Sequence, residues 1–176
     1  MRTLSLAMLC LVLTVAALSP SMSAAPVAHA RGDVAECLGY PVSIFWGPDA
    51  VATEGDDVIM GTPGPDVIHG LGQDDVICGA GGDDVIYGDR GYESIKGGAG
   101  RDRIYGGKGN DGAYGGPGRD VLVGGPMYDY LLGQGGNDRL RGGARPDHLY
   151  GGPGHDVCDG GKARDDRRSC EVWRPR

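Results

Sequence analysis

The sequence predicts an all-β fold, a β-solenoid of nine-residue repeats with two repeats per coil and a short cap at each end. Glycine supplies 35 of the 176 residues and phenylalanine only one, which argues against an ordinary globular core. From Ala52 to Asp159 the chain runs through twelve nine-residue units without an insertion or deletion. The sixth position of every unit is acidic and the eighth is apolar. Such strict periodicity gives every unit the same geometry.

Residues 1–30 are typical of a secretory signal peptide. Arg2 is followed by the apolar run "LSLAMLCLVLTVAAL" and then by small residues that end in "AHA". Cleavage is expected after Ala30, with a cut near Ala24 or Ala25 as the alternative. The run is shorter than the ~20 residues that a membrane-spanning helix needs. We therefore expect a secreted, extracellular protein with no integral membrane segment after signal removal.

The charge of the chain bears on its partners. Its formal net charge is −7, and loss of Arg2 with the signal peptide would leave 16 basic against 24 acidic residues, a net charge of −8. Nucleic acid is therefore not an expected partner.

Export would leave four cysteines, an even number in an oxidising compartment, so disulfides are expected. Sequence alone allows three pairings. The spacing favours one bridge near each end of the repeats, Cys37 with Cys78 and Cys158 with Cys170. Zinc is disfavoured because no C-x-x-C motif occurs.

Residues 31–51 form a lead-in before the repeats. The stretch "CLGYPVSIFWG" contains apolar side chains that can cover the first coil. We expect this lead-in to act as the N-terminal cap.

Residues 52–159 form the repeat region. The eighth-position residues are Ile59, Ile68, Ile77, Ile86, Ile95, Ile104, Ala113, Leu122, Leu131, Leu140, Leu149 and Cys158. One apolar side chain between two outward residues predicts a three-residue strand, and the glycines before it predict a tight turn. Such strands are stable only when stacked about 4.8 Å apart, which predicts a solenoid with alternate units on the same side.

The units "GGAGRDRIY" at residues 97–105 and "GGKGNDGAY" at residues 106–114 resemble the RTX, or haemolysin-type, calcium-binding nonapeptide GGxGxDxUx. The resemblance covers residues 52–159, and the layout is similar to small Sec-exported proteins made of little else. It implies a parallel β-roll. It also implies that each Ca²⁺ lies between neighbouring turns, held by sixth-position carboxylates of two coils and by carbonyls of the glycine turns.

Physical chemistry favours the same ion. Like carboxylates about 5 Å apart in stacked coils repel by about 3 kcal/mol per pair at an effective dielectric constant near 20. Hard oxygen ligands in a flexible turn suit Ca²⁺ better than Mg²⁺, and no His or Cys recurs in the turns. One buried aliphatic residue contributes about 1.5–3 kcal/mol, against about 1–2 kcal/mol of backbone entropy for each residue ordered. We therefore expect the repeats to be largely disordered without calcium and to fold on binding it.

The two sides of the solenoid differ in sequence. Even-numbered units keep glycine at position four and aspartate at position six throughout, which predicts a complete calcium ladder. Its expected metal-binding residues are Gly64, Asp66, Gly82, Asp84, Gly100, Asp102, Gly118, Asp120, Gly136, Asp138, Gly154 and Asp156. Odd-numbered units carry Gln73, Met127 and Arg145 at position four and Glu93 at position six, so fewer or weaker ions are expected there. The acids of this second set are Asp57, Asp75, Asp111, Asp129 and Asp147.

The ninth position carries several aromatic residues, namely His69, Tyr87, Tyr105, Tyr114 and Tyr150. We expect cross-strand packing on an exposed sheet, with a recognition face for glycan or protein as the alternative. Residues 160–176 begin like a thirteenth unit and then become basic, which predicts a C-terminal cap and tail.

The function expected from the sequence is calcium binding by a secreted protein. Catalysis is not expected, because no Ser/His/acid set, H-E-x-x-H motif or phosphate-binding loop occurs. The alternative is a calcium-dependent adhesion or surface-interaction module that recognises a cell-surface glycan or protein.

Overall fold

The computed structural model describes residues 36–45, 49–170 and 172–173. Every regular element within these residues is a β-strand. The strands are β1 Glu36–Cys37, β2 Tyr40–Pro41, β3 Ile44–Phe45, β4 Asp49–Val51, β5 Val58–Met60, β6 Val67–His69, β7 Val76–Gly81, β8 Val85–Arg90, β9 Ser94–Ala99, β10 Arg103–Lys108, β11 Gly112–Gly118, β12 Val121–Gly125, β13 Tyr130–Gly136, β14 Arg139–Gly143, β15 His148–Tyr150, β16 Val157–Gly161, β17 Asp166–Arg168 and β18 Val172–Trp173. The signal-peptide prediction for residues 1–30 lies outside the described residues.

The strands form two parallel eight-stranded sheets and one small antiparallel hairpin, β1–β2. The odd sheet contains the odd-numbered strands from β3 to β17, and the even sheet contains the even-numbered strands from β4 to β18. Within the even sheet Ile86 pairs with Ile104 and Ile104 with Leu122, so each neighbour lies eighteen residues along the chain. The predicted parallel β-solenoid with two repeats per coil is confirmed.

Most strands are longer than the three residues expected from the repeat. Strands β7 to β14 have five to seven residues, because the pairing continues into the glycines that open the next unit. Gly107 pairs with Asp89, for example, and Lys108 with Arg90. Glycine backbones pack closely enough to extend the ladder, so the three-residue estimate was wrong for the central coils.

The eighth-position side chains form one continuous core between the two sheets. They are at most 2% exposed, and only alanine or cysteine interrupts the column of isoleucines and leucines. Each side chain stacks on its equivalents in the coils above and below. The one apolar position per unit is thus sufficient to define the core.

Both ends of the repeats continue the same pairing. At the N-terminal end β3 pairs with β5 and β4 with β6, and Ile44 packs against the core. At the C-terminal end β17 pairs with β15 and β18 with β16. The lead-in and the tail therefore each add strands to both sheets.

The two predicted disulfides are present. Cys37 of the hairpin bonds Cys78 on the outer face of β7, with the Cα atoms 5.8 Å apart. Cys158 takes the core position of β16 and bonds Cys170 of the tail, with the same Cα separation. One bridge fastens the N-terminal hairpin to the odd sheet, and the other closes the last core position. Across the described residues, no helix has the length and apolar character needed to cross a membrane.

Candidate metal centre

The sixth-position acids form two columns inside the solenoid. All twelve are buried, and the most exposed, Asp57, retains only 8% of its accessible surface. The even column runs through the turns before the even-sheet strands, and the odd column runs through the turns before the odd-sheet strands. The fold therefore places a row of carboxylates along each side of the core.

One oxygen of most of these carboxylates links neighbouring coils. The backbone N–H of Asp84 donates to Oδ1 of Asp102 over 2.9 Å, and that of Asp102 donates to Oδ1 of Asp120 over the same distance. Equivalent bonds of 2.8–2.9 Å continue the even column without a break from Asp66 to Asp156. After Asp66, each acid of the even column thus accepts a hydrogen bond from the backbone of the preceding coil rather than facing solvent.

The second oxygen is buried without a hydrogen-bond partner among the described residues. Orphan Oδ2 atoms of this kind belong to Asp75, Asp84, Asp102, Asp111, Asp120, Asp129, Asp138, Asp147 and Asp156. Such an atom loses its hydrogen bonds to water on folding and makes no new one in the protein. This costs about 1–3 kcal/mol for a neutral group and more for a charged one. Two rows of unsatisfied oxygens are therefore the main electrostatic liability of the fold.

The first-position glycines enclose these orphan oxygens, a role that sequence analysis missed. A Cβ built on Gly70 would lie 2.6 Å from Oδ2 of Asp75 and 2.7 Å from the carbonyl oxygen of Gly88 in the next coil. The same crowding recurs at Gly115, between Asp120 and Gly133. Only glycine leaves room beside the carboxylate, and the next coil contributes a carbonyl oxygen to the same space.

Threonines cap the first acid of each column. Oδ2 of Asp57 accepts from the N–H and the hydroxyl of Thr53, each over 2.8 Å. Oδ2 of Asp66 accepts from the N–H of Thr62 over 2.6 Å and from its hydroxyl over 3.0 Å. The orphan oxygens therefore begin one coil further along each column.

Burial raises the pKa values of the acids in the interior of both columns. Desolvation raises the pKa of Asp75, Asp84 and Asp147 to about 6 and that of Asp120 and Asp129 to about 7. Neighbouring carboxylates add to the rise, and the backbone hydrogen bond opposes it. A cation bound between the carboxylates would reverse this penalty on the charged form.

The odd column is interrupted at one residue. Both side-chain oxygens of Glu93 are buried without a partner, whereas Asp111, Asp129 and Asp147 keep the Oδ1 link to the preceding coil. Burial raises the pKa of Glu93, whose side chain is one methylene longer than that of aspartate. Gln73, at position four, adopts φ 68° despite having a side chain. Glu93 is thus the position at which the hydrogen-bonded column of the odd side is interrupted.

The odd column also extends beyond the unit boundary at Asp159. The backbone N–H of Asp147 donates to Oδ1 of Asp165 over 3.0 Å. Asp165 occupies position six of the partial thirteenth unit, which β17 completes in register with β15.

A second ladder of hydrogen bonds runs along the exposed fifth positions. Oδ1 of Asp83 accepts from the N–H of Arg101 over 2.9 Å, and Oδ1 of Asn137 accepts from that of His155 over the same distance. These side chains bond to the following coil, whereas the sixth-position acids bond to the preceding one. Sequence analysis missed this ladder, although Asp and Asn recur at position five.

The donor set fits a hard divalent cation. The spaces at Gly70, Gly79, Gly97, Gly115 and Gly133 combine a buried carboxylate oxygen with a glycine carbonyl, and both are the oxygen ligands that Ca²⁺ prefers. No group of three or more His, Cys, Asp or Glu side chains that could hold a metal occurs among the described residues. Backbone carbonyls would therefore have to complete the coordination, as glycine turns allow.

Comparison with known protein families decides the identity of the repeats. The model of the RTX calcium-binding nonapeptide repeat matches residues 51–86, 79–113, 87–122, 114–144 and 132–166. The chain belongs to the RTX calcium-binding repeat family. The resemblance inferred from the nonapeptide pattern is confirmed, and the two-sheet solenoid is an RTX β-roll. A search of curated proteins found no match to the chain.

The ninth-position aromatics of this RTX chain do not form one face. His69 stacks on Tyr87 and Tyr87 on Tyr105 in the even sheet, with ring centroids 4.5 and 5.1 Å apart. Tyr114 and Tyr150 lie in the odd sheet, because alternate units occupy opposite sheets. The expected cross-strand packing is present for the even-sheet rings, and a single recognition face through all five residues is ruled out.

Proposed function

We propose that this chain is a secreted calcium-binding protein whose RTX repeats bind Ca²⁺ between successive turns and fold on binding. The observation that carries the proposal is the row of buried, unpartnered Oδ2 atoms on each side of the core. A folded chain that leaves these oxygens charged and unpaired is penalised at every coil. Calcium would convert that penalty into the principal stabilising interaction of the roll.

The proposed ligands follow the even column. Each ion would be held by carboxylates of successive coils and by carbonyls of the glycine turns. The residues proposed are Gly64, Asp66, Gly82, Asp84, Gly100, Asp102, Gly118, Asp120, Gly136, Asp138, Gly154 and Asp156. Asp57, Asp75, Asp111, Asp129 and Asp147 would form the second set on the odd side. Asp57 and Asp66 are the terminal members, and their Oδ2 atoms already accept a threonine hydroxyl hydrogen bond.

Two features support export to a calcium-rich compartment. Both disulfides require an oxidising environment in which to form and persist. A chain that folds only with calcium would stay unfolded, and so exportable, in a cell interior poor in the free ion. Calcium would then act as the folding signal outside the cell.

Circular dichroism of the mature, disulfide-bonded protein tests this function. The chain starts in chelator and is titrated with CaCl₂, with MgCl₂ as the control cation. We expect a cooperative gain of β-sheet signal with calcium alone. Full β-sheet signal already present in chelator would contradict folding on binding, and equal responses to both cations would contradict calcium selectivity.

The RTX β-roll is a structural calcium-binding fold, and we propose no enzymatic activity for this chain. The second candidate function is a calcium-dependent surface-interaction module. Exposed aromatic side chains of the odd sheet favour it, since Tyr130 and Tyr150 lie beside His148 and are 48% and 43% exposed. Retention of the protein on a cell-surface glycan or protein in calcium, and its release by chelator, would distinguish this role from ion binding alone.

A further inference from the structure

Four arginines converge on the outer face of the even sheet in this acidic protein. Arg101, Arg103, Arg119 and Arg139 line a groove of about 310 Å³. Val121, Asp83 and Asp102 also line it, and no aromatic side chain of the described residues does. We call this surface the arginine groove.

The solenoid register brings these residues together. Arg103 pairs with Val121 and Val121 with Arg139, so the two arginines lie two coils apart on one face. Arg101 and Arg119 occupy position five of consecutive even-side turns. Adjacent coils are separated by about 4.8 Å, so the groove presents guanidinium groups at short steps along the axis of the roll.

Three of the four arginines form no ion pair with a described residue. Arg101 contacts Asp83, with Nε 3.5 Å from Oδ2, and both side chains are more than half exposed. No carboxylate oxygen of the described residues lies within 4.0 Å of the guanidinium nitrogens of Arg103, Arg119 or Arg139. The groove therefore carries an excess of positive charge, four arginines against Asp83 and Asp102, on a chain of net charge −7.

We propose that the arginine groove docks a linear polyol-phosphate polymer, a chain of phosphodiesters joined by short flexible alcohols. Guanidinium groups bind phosphate oxygens bidentately, and here all four cations are arginine rather than lysine. A flexible backbone can match phosphates to the coil spacing, whereas duplex DNA presents one charge per about 1.7 Å along a stiff helix axis. The groove also lacks the aromatic rings on which single-stranded nucleic acids stack their bases.

Calcium would strengthen this docking, a part of the inference that rests on the proposed function. Asp102 adjoins Arg101 and Arg103 in the chain, Asp120 adjoins Arg119 and Asp138 adjoins Arg139. Ionised and empty, these buried carboxylates lower the positive potential of the groove. Bound calcium would neutralise them and order the turns that space the arginines.

The test uses the full mature protein with its disulfides intact and poly(glycerol phosphate) as the probe, titrated by calorimetry in saturating calcium. The variant Arg119→Gln/Arg139→Gln removes two groove charges. Lys96→Gln/Arg168→Gln removes two charges from the odd sheet and is the matched control. We expect the groove variant to weaken binding about tenfold or more and to reduce the salt slope of log K by about 2, with the control changing affinity less than about twofold.

Three results would overturn the proposal. These are no binding of the probe to folded protein, equal weakening by the two variants, or equally tight binding of a single-stranded DNA oligonucleotide with the same number of phosphates. Circular dichroism of each variant in calcium checks that it is folded, and calcium titration without the polymer measures ion binding independently. Polymer binding that is equal in calcium and in chelator would refute the calcium coupling and leave the docking site standing.

Discussion

Replacement of Asp120 by asparagine separates the electrostatic cost of the carboxylate column from its role in metal binding. Asparagine keeps an Oδ1 acceptor for the N–H of Asp102, a bond of 2.9 Å. Its amide group replaces the orphan Oδ2, and the carbonyl oxygen of Gly133 borders the same space. The substitution thus removes one charge, preserves the link between coils and offers the buried atom a partner.

The magnitude follows from the pKa. Burial raises the pKa of Asp120 from 3.8 to about 7, so in the metal-free roll at neutral pH its ionisation costs on the order of 4 kcal/mol of stability. Asp120→Asn should recover up to that amount in chelator, which would appear as a gain of β-sheet signal over the unsubstituted chain. In calcium the effect should reverse, because the variant lacks a ligand between two coils.

Far-UV circular dichroism near neutral pH measures both effects, as β-sheet signal in chelator and as melting temperature in calcium. Asp83→Asn is the matched control, since Asp83 carries the same charge two coils earlier but is exposed and keeps its Oδ1 bond to Arg101 N–H. We expect the control to change little under either condition. Destabilisation by Asp120→Asn in chelator as well as in calcium would refute the assignment of the orphan oxygen as a metal-reversible penalty.

Three further predictions concern the same columns. The carboxylates of the folded metal-free chain bind protons more tightly than those of the unfolded chain, because burial raises their pKa values. The stability of the metal-free fold should therefore be greatest below about pH 4 and be lost as pH rises through about 6 to 7. A β-sheet signal in chelator that grows with rising pH would contradict this direction of the pH dependence. Glu93→Asp should restore a hydrogen-bond acceptor for the coil before it and raise calcium affinity on the odd side. Asp84→Glu should lower calcium affinity on the even side, and calorimetric calcium titrations would measure both changes. Equal effects of the two substitutions would count against Glu93 as the residue that interrupts the odd column. Asp102→Ala should reduce calcium affinity more than Asp129→Ala, whose turn contains Met127 in place of glycine, and equal losses would refute the asymmetry of the two sides.

The coil could be predicted from sequence because it depends on one residue type at one interval. Ile104 and its equivalents mark the core, and Asp102 and its equivalents mark the turns. Together they predict the two sheets, the register of the strands and the type of ion. The two disulfides were also accessible, because Cys78 and Cys158 lie near opposite ends of the repeats. These features are periodic or terminal, and neither kind requires knowledge of side-chain conformation.

The details of the site depend on contacts between coils, which a single repeat does not reveal. Nothing in one unit shows that Oδ1 of Asp84 bonds the preceding coil while Oδ2 stays unpartnered, or that Gly79 must lack a Cβ beside it. The arginine groove likewise combines positions five and seven of different units. The opposite placement of Tyr105 and Tyr114 follows from the alternation of units, but it was overlooked because the ninth positions were compared in one series.

The eighteen-residue coil also determines how such a chain can change in length. Removing or duplicating eighteen residues deletes or adds one coil and leaves every later residue on its own sheet. A nine-residue change between Arg103 and Arg119 would instead exchange the two faces for the rest of the chain, so that Arg119 and Arg139 would leave the groove and the turn that contains Met127 would fall on the even side. The pair of repeats, rather than the single nonapeptide, is therefore the unit by which recombination can lengthen or shorten this chain without exchanging its two sheets.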